Sequence, residues 1–530
     1  MRLRRLSSLA LFATVVAALP SPAAAAAPSP LGIVLAEHLH ALDALHVVPP
    51  HTLVLTGTVE GLGLRGTFQT WREDNRERYD ERLGIRMQRT LRVGDVQWAQ
   101  NANGDVRELR GLAARRQITQ DAIDSGDFAR HPERVEFLGR AHLSDGRDVW
   151  QMRVQPLGGE PFGVAIDATT FMVDETAFVD GDAVTTNDYS DYRVTRGALY
   201  PTVIVESNGE HAYDVTSRVT SVSVDEPIDP ATFAPLEAAI VDATVPANVP
   251  LLSDAGHYFV RGSAGGKPLL LLVDSGSQGL FLDTAAAARL GLSPEGTLLV
   301  RGSKRVAARG VAALDRIDIG TATLPAHVVS VVDLNGINYN GTTIDGVLGY
   351  PFFAAADVRV DPDAKILTIA RPGTLPPRGT PIPIDTDREL PEATARLNGT
   401  TDGRFLFDTG NSNDLLVYHA FVQAHPGVVF TAAAQRFATN RGVGGSSAAV
   451  PAVVYRLEIG PFTLYNRYAD VMLDDSGAFS DANGAGNIGL GTLKNFVFTF
   501  DYAHRTLYLE KTRDFDDGRY RPQFDTIKPP

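Results

Sequence analysis

Apolar and polar residues alternate along much of the chain from His51 to about Pro235. Leu53 and Leu55, then Trp150, Met152 and Val154, then Val222 and Val224 sit two positions apart. A period of two is the signature of a strand with one buried face. Asn103-Gly104 and Asp145-Gly146 supply turns between such runs. Two stretches break the pattern. Ile33, Leu35, Leu39, Leu42 and Leu45 approach helical spacing over residues 31–48, and a second helix is expected near Ala113–Ile123. The pattern therefore predicts a β-rich domain of roughly 200 residues, a curved antiparallel sheet, over residues 28–237.

Prolines cluster in 225–250, at Pro227, Pro230, Pro235, Pro246 and Pro250, and again from Pro372 to Pro383. Such density marks linkers, and the first is placed at 238–251. The rest of the chain is an internal repeat, with copies over 252–372 and 373–530. Each opens on a strand and glycine turn, at Val260-Arg261-Gly262 or Leu397-Asn398-Gly399. Apolar strands Leu269–Val273 and Phe405–Phe407 lead into Asp274-Ser275-Gly276 and Asp408-Thr409-Gly410. Apolar triplets then follow at Leu280-Phe281-Leu282 and Leu415-Leu416-Val417. Next come Ile317-Asp318-Ile319-Gly320 and Leu457-Glu458-Ile459-Gly460, then Val347-Leu348-Gly349 and Gly489-Leu490-Gly491. Val358-Arg359-Val360-Asp361 and Phe498-Thr499-Phe500-Asp501 close the copies. The offsets of 134, 140, 142 and 140 residues indicate two copies of one lobe.

An isolated Asp-Ser/Thr-Gly carries little information. Asp124-Ser125-Gly126 and Asp475-Ser476-Gly477 also match, and both read as ordinary turns. Asp274 and Asp408 differ because each ends a strand apolar enough to be buried, and each is followed by a glycine that permits a tight turn. Two pseudo-symmetric lobes can bring these turns together, with carboxylates about 3 Å apart. Two full charges at that distance repel by roughly 5 kcal/mol at an effective dielectric near 20. The pair would then share one proton and titrate as a unit. Its ionised member can deprotonate a water, while its protonated member can polarise a carbonyl and assist a leaving nitrogen. Ser275 and Thr409 would brace the turns across the lobes. No metal or other cofactor is called for.

The repeat resembles the retropepsin/pepsin clan of aspartic proteases, and more closely the bacterial retropepsin-like proteases, over about residues 250–512. The resemblance rests on Leu272-Val273-Asp274-Ser275-Gly276 with Val347-Leu348-Gly349, and on Leu406-Phe407-Asp408-Thr409-Gly410 with Gly489-Leu490-Gly491. It implies a mainly β fold, with a two-lobed aspartic-protease β-barrel domain after a separate antiparallel sheet domain. It implies an endopeptidase acting on peptide or protein substrates, with Asp274 and Asp408 as catalytic pair. Ser275, Gly276, Thr409 and Gly410 would support them. Ser277 and Asn411, where the family often has Ala or Ser, would lie near the outer carboxylate oxygens. Gly489 departs from the large apolar residue expected in the second crossing loop. Flap candidates are Arg301–Gly310, with Gly302, and Arg441–Ser447, with Gly442, Gly444 and Gly445. Retroviral relatives need two chains for one site, whereas this chain carries both halves, so a monomer is expected.

The stretch Tyr189-Ser190-Asp191-Tyr192 and Leu199-Tyr200-Pro201, with the order of elements around it, is similar to the periplasmic lipoprotein-carrier half-barrel. This likeness implies an apolar concave face for an acyl chain or a peptide. It frames the alternative, a non-catalytic periplasmic lipid- or peptide-binding protein with an inactive protease-like module. A third reading, self-processing only, expects cleavage within 225–250.

Composition narrows the field. The 530 residues carry 49 Lys and Arg against 63 Asp and Glu, a net charge of −14. So acidic a chain is a poor nucleic-acid binder. The absence of cysteine excludes disulfides, thiol catalysis and Cys-ligated zinc. Residues 1–27 read as a signal peptide, with Arg2, Arg4 and Arg5 before an apolar run and small residues to Ala27. The run is shorter than the roughly 20 residues of a membrane span. Export to the periplasm or medium is expected, with no membrane span after cleavage. Gly61-Leu62-Gly63-Leu64-Arg65-Gly66 matches a dinucleotide fingerprint but precedes strand-like residues, so a hairpin turn is expected. His38, His40 and His46 do not share one helix face and are expected at the surface rather than on a metal.

Overall fold

The computed structural model describes residues 29–143, 146–180, 183–297, 299–301, 305–307, 310–325, 328–432, 438–442, 445–473, 484–521 and 526–527. The expected signal peptide, and the turn at Asp475-Ser476-Gly477, lie outside the described residues. The protein is mainly β.

Thirteen strands between Thr52 and Val224 form one antiparallel sheet. Neighbours in sequence are neighbours in the sheet, up to one exception. The first strand, Thr52–Gly61, pairs with the last, Val215–Val224, and joins the two halves of the meander. Leu62 and Gly63, both at positive φ, make the tight turn between Thr52–Gly61 and Leu64–Glu73, so the fingerprint-like glycines are a hairpin. The edges are Val106–Glu108 and Val135–His142, with the helix Gly111–Ser125 between them in sequence. Gly126 caps that helix at φ 61°, so Asp124-Ser125-Gly126, expected as a turn, is instead the end of the helix and its cap.

The first helix spans Pro30–Ala44 and is capped by Ser29, which accepts from the Gly32 N–H. It buries Val34, Leu35 and His38, while Ile33 and Leu45 are exposed. The arc 34/35/38 faces the sheet because it follows the 3.6-residue period more closely than the five apolar positions chosen from the sequence. His38 corrects the expectation of a surface histidine. It is 2% exposed, stacks on Phe128, and its Nδ1 lies 2.6 Å from the Phe171 carbonyl. Burial lowers its pKa, although that hydrogen bond opposes the shift. His40 and His46 are exposed, as expected.

Three apolar patches of this sheet are covered by the chain itself, while Leu138 and Val179 stay exposed. The first helix and Phe128 cover Met152, Phe162 and Ile166. Val311 and Val328 of the first lobe pack on Val59, Leu64, Phe68 and Leu83. Ile228 and Phe233 pack on Leu91 and Trp98.

The stretch 225–250, expected as a linker, is anchored at several points by buried residues. Arg76 stacks over Phe233, the Arg78 guanidinium donates to the Thr232 carbonyl, and Val241, Ala243, Ala247, Val249 and Leu251 belong to the main core. Prolines here fix φ in an edge position rather than mark freedom: Pro250 ends the edge strand Ala247–Pro250, which pairs with Ile366–Ala370. The second proline-rich stretch likewise ends in a strand, Thr380–Pro383, paired with Thr506–Lys511.

The repeat folds as two lobes of the same topology. In each, the strand running into the Asp is flanked by its hairpin partner and by a parallel crossing strand. These are His257–Ala264, Lys267–Val273 and Gly346–Leu348 in the first lobe, and Glu392–Leu397, Thr401–Asp408 and Gly486–Gly489 in the second. The first hairpin turns at Gly265-Gly266, both at positive φ, and not at Gly262, which sits within its strand. Between the lobes lies a six-stranded sheet to which both contribute. Its centre is the antiparallel pair Asp357–Asp361 and Phe496–Asp501, in register at Arg359↔Thr499. Those two residues are equivalent in the repeat, so the pseudo-two-fold axis passes between them.

The N-terminal sheet docks on the lobes through two hairpin turns. The Leu62 carbonyl accepts from the Thr297 N–H, at 2.7 Å. The Asn103 amide oxygen accepts from the Val328 N–H, and Asp105 accepts from the Tyr350 hydroxyl at 2.9 Å. Arg107 pairs with Glu389 and stands 3.9 Å from Asp105. Burial therefore wins at Asp105 and pushes its pKa up to about 6, against the opposing Tyr350 hydrogen bond and Arg107 charge. A carboxyl raised in the folded state stabilises most below its unfolded pKa, and that stabilisation is lost as pH rises from about 4 to about 6. Asp105→Asn should therefore be more stable than the parent by up to about 3 kcal/mol above pH 6, with the gap closing towards pH 4. Thermal melts of both proteins from pH 4 to 8 check this, and a gap independent of pH would contradict it.

Candidate active site

The approach to each Asp is a strand buried on both faces, which is why Leu269–Val273 and Phe405–Phe407 are unbroken apolar runs. The strands end at the lobe interface and deliver Asp274 and Asp408 to one point. Each carboxyl packs against the glycine of the other's turn, which brings the two acids together.

Four buried hydrogen bonds lock this arrangement. The Ser275 N–H donates to the Thr409 hydroxyl (2.9 Å), and the Thr409 N–H donates to the Ser275 hydroxyl (3.0 Å). Each hydroxyl then donates to the opposite strand: Ser275 to the Phe407 carbonyl (2.7 Å), Thr409 to the Val273 carbonyl (2.8 Å). Ser275 and Thr409 are both 0% exposed, so each of these groups has only protein partners.

Gly276 and Gly410 are required by the partner lobe as well as by their own turns. A Cβ on Gly276 would lie 2.3–2.6 Å from the Asp408 carboxyl, and one on Gly410 would lie 2.3–2.5 Å from that of Asp274. Each turn thus closes over the other's acid. The Gly276 and Gly410 N–H groups donate at 2.9 Å to Oδ1 of their own lobe's Asp.

Burial and the neighbouring charge of Asp408 push Asp274 well above the usual carboxylate range, with the Gly276 and Ser277 N–H groups opposing. Asp408 is also raised by burial, against hydrogen bonds from Gly410, Asn487 and Asn411.

Ser277 and Asn411 contribute through their backbone N–H groups. Their side chains turn aside: the Ser277 hydroxyl donates to the Gly279 carbonyl and the Asn411 amide oxygen accepts from the Asn413 N–H. Both residues therefore border the pair through the backbone rather than through their side chains. Oδ2 of Asp408 instead accepts from the Asn487 side chain at 2.8 Å. Asn487 also accepts from the Tyr418 hydroxyl at 2.5 Å. Neither residue was singled out from the sequence.

The cause is a two-residue error in aligning the crossing loops. Leu272 pairs with Val347 and Leu406 with Asn487, so the triplet equivalent to Val347-Leu348-Gly349 is Asn487-Ile488-Gly489. A Cβ on Gly349 would strike the Gly279 and Ser277 carbonyls, and one on Gly489 the equivalent Asn413 and Asn411 carbonyls. Gly489 is thus the loop glycine itself, not a replacement for a large apolar residue. The offset between copies becomes 140, matching its neighbours, and that constancy was the available signal.

Of the flap candidates, Gly442 and Gly445 are the innermost pair of the hairpin Ala438–Gly442 and Gly445–Ile459. Gly444 and Gly302 lie outside the described residues. Strands Leu299–Arg301 and Arg305–Ala307 pair beside Gly302. Among the described residues no cluster of His, Cys, Asp and Glu could hold a metal.

Residues 260–352 match the family described as aspartyl protease. The match takes in Asp274 and the first crossing loop. The repeat domain is protease-like. Among solved structures, an aspartic proteinase from Irpex lacteus is similar at 14% identity, covering 51% of this chain and 98% of its own, with a TM-score of 0.33. A LolA superfamily protein from Nitrosomonas europaea is similar at 13% identity, covering 38% of this chain and 97% of its own, with a TM-score of 0.26. No curated protein matches. Among the described residues no helix is long and apolar enough to cross a membrane.

The braces should be measurable as stability. Ser275→Ala leaves the Thr409 N–H without its acceptor in a dry interface and should cost about 2–4 kcal/mol. Thr409→Ser keeps the oxygen and should cost under about 1.5 kcal/mol. Denaturant unfolding of both variants checks the pair. A loss below about 0.5 kcal/mol for Ser275→Ala would mean the brace does not hold the lobes.

Proposed function

We propose that the protein is an exported aspartic endopeptidase whose site is complete within one chain, with lobes over 252–372 and 373–530. The observation that carries this is the meeting of Asp274 and Asp408 across the cross-braced turns. Two buried carboxyls in contact hold one proton between them in the working state. The ionised carboxylate takes a proton from water as the water oxygen attacks the peptide carbonyl carbon. The protonated partner gives its proton to the carbonyl oxygen, leaving a tetrahedral diol. The first carboxyl then protonates the amide nitrogen, the C–N bond breaks, and a diol hydroxyl returns its proton to the second. The dyad ends as it began, with an acid and an amine released.

An extended substrate would lie between the lobes, paired by its backbone with the Gly442/Gly445 hairpin. The alternative of a non-catalytic lipid- or peptide-binding protein has less support, because three apolar patches of the N-terminal sheet are already occupied by the chain's own helix, lobe and strap. Self-processing within 225–250 is opposed by the packing of that stretch.

The decisive experiment is cleavage of a mixed peptide library by the purified protein from about pH 3 to 8, beside Asp274→Asn and Asp408→Asn. The parent should cleave, and each variant should lose at least about 10²-fold, the lower end of what general acid–base catalysis supplies. A parent with no cleavage at any pH, or a variant that retains full activity, would overturn the reading.

A further inference from the structure

The two halves of the dyad are built from a repeat, so each Asp would be expected to receive the same donors. The backbone obeys this. Gly276 and Gly410 donate at equal 2.9 Å distances, and Ser277 and Asn411 repeat each other's role. The side chains do not. At the crossing-strand position opposite Leu272 the first lobe has Val347, packed among buried Phe259, Leu272 and Leu334. At the same position opposite Leu406 the second lobe has Asn487, 3% exposed, with its amide on Oδ2 of Asp408.

We propose that Asn487, set by Tyr418, is a positioning residue that fixes which member of the pair is charged: Asp408 carries the negative charge and Asp274 the proton. An ionised carboxylate only accepts, so the amide must turn its NH₂ towards Asp408, with its oxygen towards Tyr418. The Tyr418 hydroxyl donates to that oxygen and holds the turn. Tyr418 is itself 6% exposed and lies in an apolar cluster with Leu416, Ala449 and Met472. A donor to the charged form lowers the free energy of that form, and Val347 offers Asp274 no such donor. The mechanism then acquires a direction. Asp408 is the group that takes the proton from water, and Asp274 is the group that faces the carbonyl oxygen with a proton to give. This assignment rests on the endopeptidase reading, whereas the order of protonation does not.

Other titratable groups surround the pair. Tyr502 is buried and is pushed well above its ordinary range by burial and by the charges of Asp105 and Asp274. His257 is lowered by burial, with the charge of Asp254 and the Gly410 backbone opposing. The test must therefore read the carboxyls themselves, since a limb in a rate profile could belong to His257.

Carboxyl carbons of protein labelled at Asp Cγ are followed by NMR from pH 3 to 8, with Asp274→Asn and Asp408→Asn supplying the assignments. On acidification the Asp274 carbon should shift first and that of Asp408 second. Asn487→Val, which installs the residue of the first lobe, should raise the Asp408 transition by about one pH unit or more, the loss expected for one hydrogen bond to a buried charge. Tyr418→Phe keeps the amide but releases its orientation, and should move the same transition in the same direction by less. This second variant serves if Asn487→Val does not fold. Peptide cleavage by the same samples should show its acid limb displaced equally. Asp408 taking the first proton in the parent, or transitions unmoved in the folded variants, would overturn the proposal. A parent that titrates in the stated order yet cleaves nothing would overturn the endopeptidase reading and leave the assignment of charge standing.

Discussion

Everything in the two lobes is subordinate to the contact between the Ser275 and Thr409 turns. Two acids can be held against each other in a dry interface only if something else forces the backbones together. The reciprocal hydroxyl–amide bonds do this without using either carboxyl. They also explain why Ser and Thr occur there. A side chain must accept from and donate to the opposite lobe's backbone at once, and a hydroxyl is the smallest group that can. The strands behind the turns are apolar on both faces because they must be clamped from both sides to keep that contact in place.

The remaining architecture divides between symmetry and its breaking. The six-stranded sheet places equivalent strands side by side about the axis, and Phe353, Phe498 and Phe500 fill the space around it. The N-terminal sheet is not symmetric with respect to that axis. It grips the first lobe at Thr297, Val328 and Tyr350, and meets the second through Glu389 and Arg505. Tyr350 directly follows Gly349, and its N–H donates to the Ser277 carbonyl, so the docking of Asp105 reaches the turn that carries Asp274 through a single residue. Asymmetry at the dyad and asymmetry of docking thus occur in the same molecule by separate routes.

Much of this was legible in the order of residues. The period of two named the sheet, and the apolar run before Asp274 and before Asp408 set both apart from Asp124, which lies at the end of a helix. What escaped was information carried by pairing rather than by pattern. Asn487 is a polar residue inside an otherwise apolar crossing strand, and it becomes meaningful only once Leu406 is seen opposite it. The rotation of the Ser277 and Asn411 side chains depends on a local carbonyl, that of Gly279, and a local N–H, that of Asn413, which spacing does not reveal. The proline-rich stretch misled for a related reason. Proline density reports fixed φ, and whether a stiff chain hangs free or lies against a sheet depends on a distant partner such as Trp98 for Phe233. His38 reads as polar in a helical pattern, and only the Phe171 carbonyl, 133 positions away, makes its burial tolerable.

The register of Arg359 against Thr499 has a consequence for the chain taken in halves. Strand Asp357–Asp361 lies between Ile366–Ala370 and the second lobe, so removing that lobe would strip one whole ladder of hydrogen bonds from it. A solitary first lobe would present an unpaired, apolar sheet margin, the kind of surface that recruits another strand. Because the pairing is antiparallel about a two-fold axis, the margin is self-complementary, and a second copy of the same half could fill it in the same register. Joining the halves in one polypeptide converts an encounter that would depend on concentration into one that does not. It also frees each half to diverge, and position 347/487 is where that freedom has been used.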